Sequence, residues 1–199
     1  NIDPNKNQYI TDYILKTSRY EDLAIITSNW DNLIEKSFYN MNPNDWIIDY
    51  GSHDIELEPA ENVQLGQSKN EKTGVHKTLK LYKIHGSIDW YSCPVCSRIF
   101  IQKNQVMSLR TCSSCKEMFT SRTHKNSRIV LNRSLILPTF LKEFSTFHYK
   151  SIWHKFHREL SEARKLVLIG YSLPAADHEI RQSFLRFVPD NCEITVVTC

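Results

Sequence analysis

The residues best suited to chemistry are four cysteines, a histidine and two short polar turns. Cys93 and Cys96, then Cys112 and Cys115, form two Cys-x2-Cys pairs with fifteen residues between them, which is zinc spacing. A two-residue gap sets both sulfurs of a pair on one side of a tight turn, and two pairs supply the four thiolates that tetrahedral zinc accepts. Four protein ligands leave no open coordination position, so the expected Zn2+ is structural rather than catalytic. A disulfide framework fits less well, because small disulfide-rich secreted domains lack long apolar strands and this chain has only two further cysteines, Cys192 and Cys199. Those two read as a buried thiol and a terminal residue without a role.

His85 precedes Gly86 at the end of the apolar run Leu79 to Ile84. An imidazole, with a reference pKa of about 6.5, can accept a proton near neutral pH. The glycine lets backbone pass close to a ligand because it has no Cβ. Asn29, within Thr27-Ser28-Asn29-Trp30-Asp31, and Ser172, within Gly170-Tyr171-Ser172-Leu173-Pro174, offer hydrogen-bonding groups in comparable places. Plainer readings stand beside these. Ser28-x-x-Asp31 fits a capping box, Asn29 fits a helix cap, and Gly170 with Ser172 fits the end of a strand and the start of a helix. His154 and His157 share a helical face, yet no carboxylate or third histidine joins them, so they read as solvated. Trp153 and Phe156, at helical period, read as core.

The elements that must position these residues follow from periodicity. Asp3-Pro4 fits a helix start, with Tyr9, Ile10, Tyr13 and Ile14 at helical spacing. Leu23 to Ile26 is a continuous apolar run of the kind found in a strand buried on both faces, and the next helix carries Leu33, Ile34 and Phe38. Residues 41–62 hold six acids and no lysine or arginine, and Pro43, Gly51 and Pro59 interrupt them, which reads as an excursion from the main sheet. A polar stretch, 63–78, precedes the strand Leu79 to Ile84. Arg128 to Leu137 can supply strands. Phe147, Ile152, Trp153, Phe156 and Leu160 fit one face of a helix from about Phe144 to Ala163. Leu166 to Ile169 is a further buried strand, Ile180, Phe184 and Phe187 mark another helix, and Ile194 to Val197 is a last strand. Strands alternating with helices predict an α/β fold, a parallel sheet covered by helices on both faces. In such folds ligands sit beyond the carboxyl ends of the strands, where Asn29, His85 and Ser172 all fall.

The whole is 199 residues with 41% hydrophobic content and formal charge +3, enough for one ordinary domain and its core. Four thiolates on one Zn2+ bring the net charge to about +1, so no strongly basic surface follows. No apolar run is long enough to span a bilayer and the polar opening Asn1-Ile2-Asp3-Pro4 is unlike a signal sequence, so a soluble, cytoplasmic protein without a membrane partner is expected. Between Cys93 and Lys125 six lysines and arginines face one glutamate. A non-catalytic binding module, whose basic zinc ribbon contacts a partner protein or, through Arg98, Lys103, Arg110, Lys116, Arg122 and Lys125, nucleic acid, is therefore an alternative, but no aromatic run suggests base stacking and no nucleic acid partner is expected.

Taken in order, Thr27-Ser28-Asn29-Trp30-Asp31, His85-Gly86, the four cysteines and Gly170-Tyr171-Ser172-Leu173 resemble the sirtuin-like superfamily, whose domains bind NAD in a Rossmann-type sheet beside a zinc module. The resemblance spans most of the chain. Ile169-Gly170-Tyr171-Ser172-Leu173-Pro174-Ala175-Ala176-Asp177-His178 and Leu137-Pro138-Thr139-Phe140-Leu141-Lys142 are more similar to the bacterial branch tied to NAD breakdown in anti-phage defence than to the protein deacylases. It implies a Rossmann-like NAD-binding domain over 1–92 and 126–199 and a zinc-binding module over 93–125. It further implies Asn29 and His85 as catalytic residues, Asp31 receiving the nicotinamide amide, and Thr27, Ser28, Gly86, Gly170 and Ser172 lining the nucleotide. NAD is then substrate or cosubstrate, and other domains of the same chain or a second copy are possible partners.

The sequence departs from the family pattern in three places. Deacylases carry glutamine where Ser28 stands and a Phe-Gly-Glu segment for which Leu135 to Phe144 offers no equivalent, which argues for NAD hydrolysis over lysine deacetylation. The five glycines, Gly51, Gly66, Gly74, Gly86 and Gly170, form no Gly-x-Gly phosphate loop, so weaker NAD binding is expected. The family would also continue beyond the last strand, and a fragment of a longer protein is expected.

Overall fold

A computed structural model describes residues 12–14, 16–17, 22–41, 46–52, 55–57, 77–101, 112, 115, 130–137 and 146–197. The expected helix start with Tyr9 and Ile10, the polar stretch 63–76, the side chains of Lys103, Arg110, Lys116, Arg122 and Lys125, the segment 138–145 and Cys199 lie outside them. The chain divides into two compact units, Asn1–Leu135 and Ile136–Cys199.

The first unit is built on three parallel strands. The strands β1 (Ala24–Thr27) and β2 (Trp46–Asp49) flank the β4 strand (Lys77–Lys83). Ala24 pairs with Lys80 and Thr27 with Lys83 on one side, and Trp46 with Lys77 and Asp49 with Lys80 on the other. The acid-rich region is therefore no excursion: its Trp-Ile-Ile-Asp core supplies an edge strand of this sheet. The central strand is buried on both faces, with Leu79, Leu81 and Tyr82 closed to solvent. The β1 strand is only half-buried, unlike the expectation for its apolar run, because it lies at an edge. Helix α1 (Leu33–Met41) lays Ile34 and Phe38 over Leu79, with Ile14, Leu23, Ile25 and Ile48 completing the cluster. Its start is fixed by Asp31, whose Oδ1 accepts from the Leu33 N–H at 3.0 Å.

The β4 strand runs through the two-residue turn Ile84-His85 straight into the β5 strand (Gly86–Ser92), which belongs to a different sheet. There β3 (Ile55–Leu57) pairs parallel with β6 (Ile99–Ile101), and β5 pairs antiparallel with both β6 and β7 (Asn132–Leu135). Trp90 anchors this sheet, fully buried and edge-on to Tyr50 at 5.3 Å.

In the second unit α2 (Phe147–Glu162) packs on α3 (His178–Phe187) beside a parallel pair, β8 (Lys165–Ile169) and β9 (Glu193–Val197). Ile152, Trp153, Phe156 and Leu160 are buried as expected, whereas Phe147 is 66% exposed. Tyr149 takes its place because it stands three residues before Ile152, on the same face, while Phe147 stands five before and points away. Among the described residues no helix is long and apolar enough to cross a membrane.

Candidate functional site

The loop Ser28–Asn32, after β1, and the turn Ile84-His85, after β4, leave adjacent parallel strands at their carboxyl ends. Three hydrogen bonds join the segments that hold this loop and this turn. The Ile84 N–H donates to the Thr27 carbonyl at 3.1 Å, and the Trp30 carbonyl accepts from the Ile88 N–H at 2.9 Å and from Ser87 Oγ at 3.1 Å. Thr27 also steadies the loop from within, its Oγ1 accepting from the Asn29 N–H at 3.1 Å. Asn29 faces solvent, Ser28 and Asp31 are half-buried, and His85 is only 3% exposed. Gly86, buried with φ +80°, needs the left-handed backbone that a side chain would oppose. Two polar atoms near this turn, Trp30 Nε1 and Asp89 Oδ1, are buried with no hydrogen-bond partner among the described residues. Such groups are rare, and a ligand is one way to satisfy them.

Beneath the loop lies a feature that sequence reading missed. Lys83, at 0% exposure, donates through Nζ to Glu35 Oε1 at 2.7 Å and to the Asp31 carbonyl. Burial raises the Glu35 carboxyl above its ordinary range, against the pull of the Lys83 charge. A signal existed: alternation puts Lys83 on the same face of β4 as Leu79 and Leu81, and a lysine on an apolar face requires a buried partner.

Gly170 and Ser172 belong to the second unit, which stands by itself here. Gly170, with φ +62°, ends β8 and donates to the Val197 carbonyl at 3.0 Å; a Cβ there would meet nothing within 4 Å, so glycine serves backbone conformation rather than close packing. Ser172 is exposed. The turn around it is fastened by neighbours that sequence reading did not single out. Tyr171 OH donates to Asp177 Oδ2 at 2.6 Å, and Arg181 clasps the Leu173 carbonyl through Nε and Nη2 at 3.1 and 2.8 Å, with Leu173 itself at φ +51°. Burial, then the Asp177 carboxylate, raises the Tyr171 phenol well above its usual range. Nor is His157 solvated: it stacks on Phe187 at 4.3 Å and its Nε2 lies 2.9 Å from Ser183 Oγ. Ser183 donates its own O–H to the Glu179 carbonyl at 2.8 Å, which leaves the histidine as donor. His154 is exposed, and Cys192 is half-buried rather than buried.

The four cysteines converge. Their sulfurs all lie within 4.8 Å of one another, and Cys93–Cys115 and Cys96–Cys112 are each separated by 3.7 Å. Tetrahedral zinc with bonds of about 2.3 Å places its sulfurs about 3.8 Å apart, whereas a disulfide needs about 2 Å. The set therefore fits a closed zinc centre. Each knuckle aims backbone donors at sulfur: Val95 and Cys96 N–H at Cys93 Sγ, 3.4 and 3.5 Å, and Cys115 N–H at Cys112 Sγ, 3.4 Å. Burial works against ionisation of Cys93, but these two amides, together with the Cys96 and Cys115 thiols, outweigh it and bring its pKa down to about 7. Burial and the surrounding thiols push Cys115 up to about 12. Four thiolates cannot share this volume without a cation to balance them. Ser97, at φ +59°, closes the first knuckle, and Phe100, Leu131 and Tyr91 wall the centre.

A profile of the family described as "SIR2-like domain" matches residues 23–187. Comparison with curated proteins gave no match. Among solved structures, two mutants of a Sir2 homologue in complex with ADP-ribose are 14% and 12% identical and both have TM-score 0.47. The alignments cover 98% and 97% of this chain and 53% of each of theirs. A Sir2 homolog in complex with NAD is 14% identical with TM-score 0.44, over 96% of this chain and 58% of that one. The chain thus spans little more than half the length of these structures.

Proposed function

The chain belongs to the SIR2-like domain family, and from that membership we propose that it binds NAD and hydrolyses the bond between nicotinamide and ribose, as an NADase of the kind found in anti-phage defence. The observation that carries the reading is the joining of two loops. Asn29 and His85 follow different strands, 56 positions apart in sequence, yet the segments that carry them are joined by backbone hydrogen bonds, Ile84 N–H to the Thr27 carbonyl and Ile88 N–H to the Trp30 carbonyl, at the carboxyl end of one parallel sheet. That is where open α/β sheets bind ligands.

Breaking the bond leaves positive charge on the ribose, an oxocarbenium-like state as in glycoside hydrolysis. Water adds to that carbon, nicotinamide departs, and one proton must be removed. His85 takes that proton from the water or from a ribose hydroxyl. The exposed Asn29 amide orients the water or binds the ribose. Asp31 keeps one carboxylate oxygen on the Leu33 N–H and offers the other to the nicotinamide amide. Thr27, Ser28 and Gly86 line the nucleotide. The zinc centre holds the neighbouring sheet and takes no part in the reaction.

The test is NAD consumption by the whole protein, with nicotinamide and ADP-ribose quantified, with and without an acetylated peptide, beside the Asn29→Ala variant. Hydrolysis without peptide that vanishes in the variant supports the reading. Turnover only with the peptide makes the protein a deacylase. An absence of both turnover and calorimetric NAD binding sinks it.

A further inference from the structure

The ion pair under the candidate loop does more than fill space. Lys83 and Glu35 are almost wholly closed to solvent, at 0% and 5% exposure, and a buried pair is a poor way to gain stability, since well-packed apolar residues commonly do as well or better. Lys83 also reaches past its counter-charge to the backbone of Asp31. That carbonyl sits in the segment between Asn29 and the first turn of α1, where the Asp31 side chain already caps Leu33. Lys83 is itself the last residue of β4, two positions before His85. One side chain thus ties the end of the histidine-bearing strand to the asparagine-bearing loop, while Glu35 holds its ammonium in place.

We propose that Lys83 and Glu35 are positioning residues: the Lys83 ammonium, anchored by Glu35, fixes the Asp31 carbonyl and so sets Asn29 relative to His85. The inference rests on the NADase reading for its kinetic consequence but not for its structural one. Neither residue touches the ligand. Their effect passes through the loop backbone, where a misplacement of about 1 Å can cost about a hundredfold in rate.

The test separates position from packing. In the whole protein, Lys83→Met combined with Glu35→Leu replaces the pair by apolar side chains of similar size and is expected to melt at or above the wild-type temperature. Amide hydrogen exchange across residues 28–33 should nevertheless rise about tenfold or more, with β4 unchanged, and kcat for NAD should fall about a hundredfold with KM moving far less. Glu35→Gln keeps the shape but removes the counter-charge that anchors Lys83, so exchange in the loop should rise while that of β4 stays unchanged. Wild-type loop exchange and wild-type kcat in the double variant would overturn the inference and reduce the pair to packing. If the double variant fails to fold, wild-type loop exchange in Glu35→Gln overturns it instead, and faster loop exchange with β4 unchanged supports it. Should the wild-type protein neither bind nor cleave NAD, the exchange comparison still decides whether the pair positions the loop, and only the NADase reading falls.

Discussion

At the scale of single residues, exposure decides which substitutions report on chemistry. Asn29 faces solvent, so Asn29→Ala should change folding stability by less than about 0.5 kcal/mol while removing the proposed NAD cleavage; thermal melting beside a turnover assay checks both halves. His85 is different. At 3% exposure its replacement by alanine opens a hole in a packed turn, and loss of activity in that variant would be confounded with loss of fold. His85→Gln is the cleaner probe, retaining volume and hydrogen-bonding groups but no base. Lys83→Met alone should destabilise by about 3–5 kcal/mol, read from denaturant midpoints, because it strands Glu35 in the interior without its counter-charge. A loss under about 1 kcal/mol would mean that water reaches the carboxylate. The zinc ligands and the Asn29 and His85 positions were legible in the sequence because their spacing and strand-end placement are local properties. The pair was not, because Glu35 and Lys83 meet only when a helix folds over a strand 48 positions away.

At the scale of elements, long apolar runs gave themselves away and short ones did not. The strands β1, β4, β8 and β9 and all three labelled helices lie within a few residues of where periodicity put them. The β2, β3 and β6 strands have only three or four residues each, too few to show a period, and β2 was hidden by acidic neighbours and flanking breakers, whereas β7 falls within the Arg128 to Leu137 stretch expected to supply strands. The seam between α2 and α3 offers a pH test. Burial, and then the neighbouring His154 charge, lowers the His157 pKa, so the unfolded chain takes up its proton first as pH falls. Its contribution to stability is complete above the ordinary histidine value of about 6.5 and is lost as pH drops through the lower folded value. His157→Phe keeps the stacking on Phe187 and removes the titration. Its melting temperature should therefore fall less between pH 7 and pH 5 than that of the wild type, and parallel curves would contradict the assignment.

At the scale of the molecule, the zinc centre secures the sheet into which β4 continues. Elemental analysis should find one zinc per chain, and a strong chelator, or Cys115→Ser, should lower the melting temperature markedly, because the free energy of metal binding adds to that of folding. Acidification should release the metal, since thiolates must be deprotonated to bind it. A chain that keeps its melting temperature after verified metal removal would show that Phe100, Leu131 and Trp90 suffice to hold the sheet.

The Ile84-His85 turn joins two sheets with nothing to spare. For protein engineering, that makes the stretch from Lys83 to Gly86 a forbidden zone. A tag, a fluorescent insert or a split point placed there would uncouple the sheets and carry off the histidine in the same stroke. A biosensor made from this domain would have to take its insertion elsewhere, because this two-residue connection has no tolerance for added length.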